Sequence, residues 1–204
     1  MHDSPRTSVP LLARACLVAG PLLFAASTFF WHDGRYGATG GTIVALSVPV
    51  WTYGILALLD RMGTVLPRYA AALRLLALFG VVAGAAFGFQ GFFEQVYGMD
   101  AAGSLAALEQ HPVTAGLLLW WTGPLFPLTL LLLGAGLIRT RQLPLPVGLL
   151  ICAGAVLFPA SRIPRAEWIA HIVDVVLLAP FLIAALRQPR QSAAGPADTS
   201  GRRS

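Results

Sequence analysis

Long stretches with no charged residue recur along this chain of 204 residues, and they decide what it can fold into. One of them, Val113 to Ile138, contains no Asp, Glu, Lys or Arg. A water-soluble core has no need for an uncharged run of that length. A helix crossing ~30 Å of hydrocarbon needs about 20 apolar residues in a row. Composition points the same way: 11% of residues are charged, against about 25% in soluble domains. The sequence therefore predicts an all-α, polytopic membrane protein.

Six spans are expected, at roughly Leu11–Trp31, Gly41–Leu59, Ala71–Phe93, Val113–Ile138, Leu143–Ala160 and Ala166–Leu186. They form a single six-helix bundle over residues 1–187. The tail, 188–204, is rich in Ser, Gly and Pro and is expected to be disordered and cytoplasmic. The first span includes "LLFAAS", which resembles the end of a secretory signal. Its apolar run continues through Trp31, so an uncleaved span is the expectation. Between the third and fourth spans, "DAAGSLAALEQHP" suits either a short surface helix capped by Asp100 and stopped by Pro112 or an ordered loop over the outer face.

Orientation follows from the 14 basic residues, all of them arginine. Arg6, Arg14, Arg61, Arg68, Arg74, Arg139, Arg141, Arg187, Arg190, Arg202 and Arg203 fall on the side of the termini. Arg35, Arg162 and Arg165 fall on the other. The positive-inside rule puts both termini in the cytoplasm and the chain in the cytoplasmic (inner) membrane. Exclusive use of arginine reads as GC-rich bacterial coding and excludes a lysine Schiff base. The formal charge of +5 lies in short loops and tails, where it meets anionic lipid. Nucleic-acid binding is not expected, because no basic patch with interleaved aromatics occurs. Cys16 and Cys152 read as small packing residues.

Gly80, Gly84 and Gly88 repeat every four residues in the third span. Such a stripe lets another helix backbone come close, from within the chain or from a partner membrane helix. With Gln90 and Glu94 on a different face, this span is expected to sit centrally. Pro21, Pro49, Pro124, Pro127 and Pro180 are expected kink positions. Trp51, Trp120 and Trp121 lie deep in their spans, where they either line an apolar chamber or pack and face lipid.

The sharpest feature is a polar stripe in the last span. Glu167, His171 and Asp174 share one helical face. At the helical rise, His171 is about 7 Å and Asp174 about 12 Å below the outer surface. A charged Asp there costs at least ~2.5 kcal/mol. It must be neutral, paired with His171 or an arginine, or open to a wet cavity. Gln90 and Glu94 fall at matching depths, so an outward-facing pocket between the third and sixth spans is expected. Gln90, Glu94, Glu167, His171 and Asp174 line it, with Arg162 and Arg165 above.

Such a pocket suits binding or translocation of a small polar solute or a proton. A structural hydrogen-bond network between the two helices is the plain alternative. Glu167, His171 and Glu94, with or without Asp174, are residue types that can bind a divalent metal; no paired-His motif supports such a site, and neither metal nor cofactor is expected. Two other functions compete: an accessory protein docking a partner helix on the glycine stripe, and a membrane enzyme at the outer face. No nucleophile stands convincingly beside the His and acids, so enzyme chemistry is the weaker reading.

Overall fold

A computed structural model describes residues 9–32, 34–162 and 166–187. Arg165 and the 188–204 tail, both named above, lie outside the described residues. The first three helices are α1 (Leu11–Thr28), α2 (Gly37–Gly63) and α3 (Pro67–Val96). Two short ones follow, α4 (Ala101–Glu109) and α5 (Pro112–Ala115), then a π-helical turn at Gly116–Trp120. The last three are α6 (Leu125–Arg139), α7 (Leu145–Arg162) and α8 (Glu167–Leu186). No strand occurs among the described residues; an isolated bridge between His32 and Arg35 closes the α1–α2 turn, where Gly34 takes a φ of 69°.

Six helical stretches are long and apolar enough to cross a bilayer. They coincide with the six expected spans to within a few residues. The fourth combines α5, the π turn and α6 over Pro112–Arg139. Leu11 and Leu186 lie at one face of the bundle, here the terminal face; the opposite end is the distal face. The spans form a closed ring in the order α1, α2, α3, α6, α7, α8, with α8 returning to α1. α2 also reaches α6 across the middle.

Hydrocarbon gives helices no hydrophobic reason to associate, so close packing and polar contacts must hold the ring. Trp51 of α2 is the hub and is fully buried. Its ring meets Phe181 of α8 at 5.1 Å, Phe126 of α6 at 5.3 Å and Phe24 of α1 at 6.2 Å, each tilted or edge-on. Phe158 of α7 joins them through Phe24, at 5.4 Å. These geometries are the favoured ones for aromatic pairs. Beside the hub, α1 crosses α2 at Gly20, where a Cβ would come within 2.4 Å of the Trp51 Cα.

Of the two readings of the α3 glycine stripe, the structure fits packing within the chain, and it overturns the expectation that α3 is central. Its glycine stripe is filled from within the chain. A Cβ at Gly88 would meet Ala45 and Gly41 of α2, one at Gly84 would meet Val48, and one at Gly80 would meet Phe126 of α6. No groove is left there for a partner helix. Nor is α3 central. Only 28% of its apolar window is buried, against 56% for α2, which takes the inner position instead. Small residues gave α3 close contact with two neighbours, but its remaining face carries Leu75, Leu78, Phe79 and Val82, all exposed to the bilayer.

The fourth span breaks at residues 121–124, between the π turn and α6. Pro124 cannot donate a backbone hydrogen bond, and the turns before it widen in response. Thr122 Oγ1 donates to the carbonyl of Leu117 or Leu118, at 2.8 and 2.9 Å. The side chain thus satisfies acceptors that the break would leave bare in lipid. Trp120 and Trp121 face outward beside it. They line no inner chamber with Trp51.

A buried ionic centre between three helices

Asp174 sits on the inner face of α8, one turn above the buried Leu177. It is 3% exposed, so it does not line a wet cavity. Of the remedies open to it, pairing with an arginine is the one adopted. Arg162, the last residue of α7, turns its guanidinium inward and places Nη2 2.5 Å from Asp174 Oδ1. Thr28, the last residue of α1, donates its hydroxyl to Asp174 Oδ2 at 2.6 Å. The same Thr28 oxygen accepts from Arg162 Nη1 at 3.3 Å. One hydroxyl thus uses its proton on the acid and a lone pair on the base, and the ends of α1 and α7 close into a cycle with the inner face of α8.

Aromatic rings surround the cation. The guanidinium carbon lies 4.7 Å from the centroid of Phe24, 5.0 Å from Trp31 and 5.7 Å from Phe158. A ring face attracts a cation, by about 0.5–2 kcal/mol depending on desolvation. The cage exists because Phe24 precedes Thr28 by one helical turn, and Phe158 precedes Arg162 by the same step. Trp31 is buried here and packs edge-on against Tyr36 at 4.9 Å. Among the described residues, neither Arg162 Nε nor Trp31 Nε1 has a hydrogen-bond acceptor, although both are buried donors.

Above the centre, the α8 stripe runs to the distal surface. His171 Nε2 stands 3.9 Å from Glu167 Oε1, and the two side chains are 34% and 58% exposed. The His171 ring packs on Phe29, just beyond the end of α1, centroids 4.6 Å apart. Below the centre, Leu177 and Phe181 continue the same face into the aromatic hub and are fully buried. The stripe is therefore polar from the surface to Asp174 and apolar beyond it.

Gln90 and Glu94 belong elsewhere. α3 stands across the ring from α8, so the expected pairing of third and sixth spans in one pocket does not occur. Gln90 Nε2 donates to Glu94 Oε1 at 3.2 Å and to Ser104 Oγ of α4 at 3.0 Å. Their role in the fold is to fasten α4, whose N-terminus Asp100 caps by accepting from the Gly103 amide at 2.7 Å. The surface helix expected over this stretch is present; it ends at Glu109, and Pro112 opens α5. Glu94 lies far round the ring from Glu167 and His171, so that trio does not converge. No cluster of three or more His, Cys, Asp or Glu suited to a metal occurs among the described residues.

Sequence reasoning thus found Asp174, Arg162, His171 and Glu167 of this centre. It missed Thr28, Trp31, Phe24 and Phe158. A threonine closing an apolar run, as in "LLFAAST", was the available signal for Thr28. Nothing in the sequence tied it to a residue 146 positions away.

Fold and site together define a multi-pass helical membrane protein with an ionic centre buried near one end of its bundle. No family model, curated protein or solved structure matches the chain.

Proposed function

We propose that the chain is a cytoplasmic-membrane protein, with both termini inside, that binds a small anion together with a proton at the Arg162–Asp174–Thr28 centre, reached from the outside. The arginine distribution supports the orientation. One observation supports the chemistry most: a buried ion pair whose arginine has a donor, Nε, with no acceptor among the described residues, beneath a surface-connected His–Glu stripe.

At rest, Asp174 and Arg162 neutralise each other. A bare charge in this environment is costly, so an anion cannot simply displace the carboxylate. A proton passed down from Glu167 and His171 to Asp174 changes that balance. The acid becomes neutral and keeps Thr28 as its hydrogen-bond partner. Arg162 then offers its guanidinium to an incoming anion, with Nε and the Trp31 indole N–H as further donors. Proton and anion enter together and the centre stays neutral.

Thermal unfolding of the purified protein tests this, with acetate, chloride or phosphate added at pH 5 and pH 8. An anion at ten times its Kd contributes about 1.4 kcal/mol. For a chain of this size that raises the midpoint by about 3–6 °C. The rise is expected to be larger at pH 5. Asp174→Asn should keep the anion effect and lose its pH dependence; Arg162→Gln should lose both. If none of the three anions moves the wild-type midpoint at either pH, the centre is structural.

A further inference from the structure

A groove of about 670 Å³ opens on the side of the bundle, walled by α3, by α4 and by the start of the fourth span. It shares no residue with the ionic centre. Val82, Phe89 and Phe93 form its α3 wall, and Leu118 of the π turn faces them. All four are substantially exposed. They belong to membrane-spanning stretches, so the medium that reaches them is hydrocarbon.

The polarity of the groove is graded. Its deep end, at Val82 and Leu118, is apolar. Gln90 lies along the way, and Ser104, His111 and Thr114 line the distal end. From Val82 to Phe93 the α3 wall rises about 16 Å. One leaflet of a bilayer core is about 15 Å deep. The volume is also in the usual range for small-molecule sites, about 300–1,000 Å³. A transmembrane helix is a poor occupant, because it is about 10 Å across and would have to pass α4. That helix is fixed to α3 at the distal end by the Gln90–Ser104 hydrogen bond.

We infer that this groove seats one acyl chain of a phospholipid from the distal leaflet, with its headgroup beside His111 and Thr114. The broken fourth span suits that role. Thr122 covers the carbonyls of Leu117 and Leu118, so the π turn offers the chain an apolar wall rather than bare acceptors. The expected contact is graded along the chain, with methyl end at Val82 and carbonyl end near Thr114.

Photo-crosslinking tests the inference. The full chain is reconstituted in phosphatidylcholine vesicles containing a small fraction of phosphatidylglycerol with a diazirine at the end of one acyl chain. Adducts are mapped by peptide mass spectrometry. Val82 and Leu118, at the deep end, should be labelled several-fold above Leu22, Leu75 and Val156, which face lipid outside the groove. Ala86→Trp, which fills the groove, and Ala107→Trp, which narrows it from the α4 side, should bring the groove to the level of those three. Even labelling over all five positions in the wild type overturns the inference, and so does a groove that stays unlabelled because a second protein copy covers it.

Discussion

Two buried carboxylates, Glu94 and Asp174, lie in the distal half of the bundle, Asp174 about two turns deeper, and the fold treats them differently. Glu94 accepts from Gln90, which engages Ser104 only 14 residues away and holds a surface helix to the span that precedes it. Asp174 engages Arg162 and Thr28, and so ties α8 to α7 and to α1 at once. The first is a local latch made of an amide and a hydroxyl. The second is an ionic knot within aromatic walls, at the seam where the ring of helices closes. A polar group near the end of a span can be satisfied by the next loop. One placed a further two turns in must draw its partners from other spans, and the bundle's closure then depends on it.

The contrast yields an ordered set of outcomes. Arg162→Leu should be the most damaging, because it leaves Asp174 buried and unpaired; a loss of about 3–5 kcal/mol is expected. Heat or denaturant unfolding in mild detergent would measure it. Adding Asp174→Leu to that variant should recover most of the stability, and a double variant as weak as the single one would show that the charges are not coupled. Thr28→Val comes next, at about 1.5–3 kcal/mol for a hydrogen bond to a charged group. It should also loosen α1 from α8, read as faster crosslinking between cysteines placed at the distal ends of those helices. Ser104→Ala is the mildest, at about 0.5–1.5 kcal/mol. Its effect should be confined to α4, visible as faster hydrogen exchange over Ala101–Glu109 with the unfolding midpoint almost unchanged. An equal effect of Ser104→Ala and Thr28→Val on global unfolding would erase the distinction between latch and knot.

The spans were legible because the bilayer imposes one requirement, a long apolar run, that leaves a trace residue by residue. The α4 helix was legible from Asp100 and the turn that follows. The acid of the knot was legible too, since Asp174 violates the rule its neighbours obey. Its partners were not. Helical spacing says which residues of one span share a face, and it put Glu167, His171 and Asp174 together correctly. It says nothing of which span lies next to which. Depth matching therefore put Gln90 and Glu94 beside Asp174, when they stand on the opposite side of the ring. The glycine stripe has the same limit: it announces a close neighbour within the chain without naming it, and the neighbours are α2 and α6. The break in the fourth span was marked by Pro124, but the compensation by Thr122 depends on a geometry that exists only after the helix has widened.

Arg162 and Asp174 are 12 residues apart, on the two arms of one hairpin. During synthesis that hairpin leaves the ribosome after the other four spans. Its two charges can find each other as soon as both arms are out. Thr28, made far earlier, then serves as the catch on which the hairpin fastens, so that docking of the hairpin and completion of the ionic centre are one event.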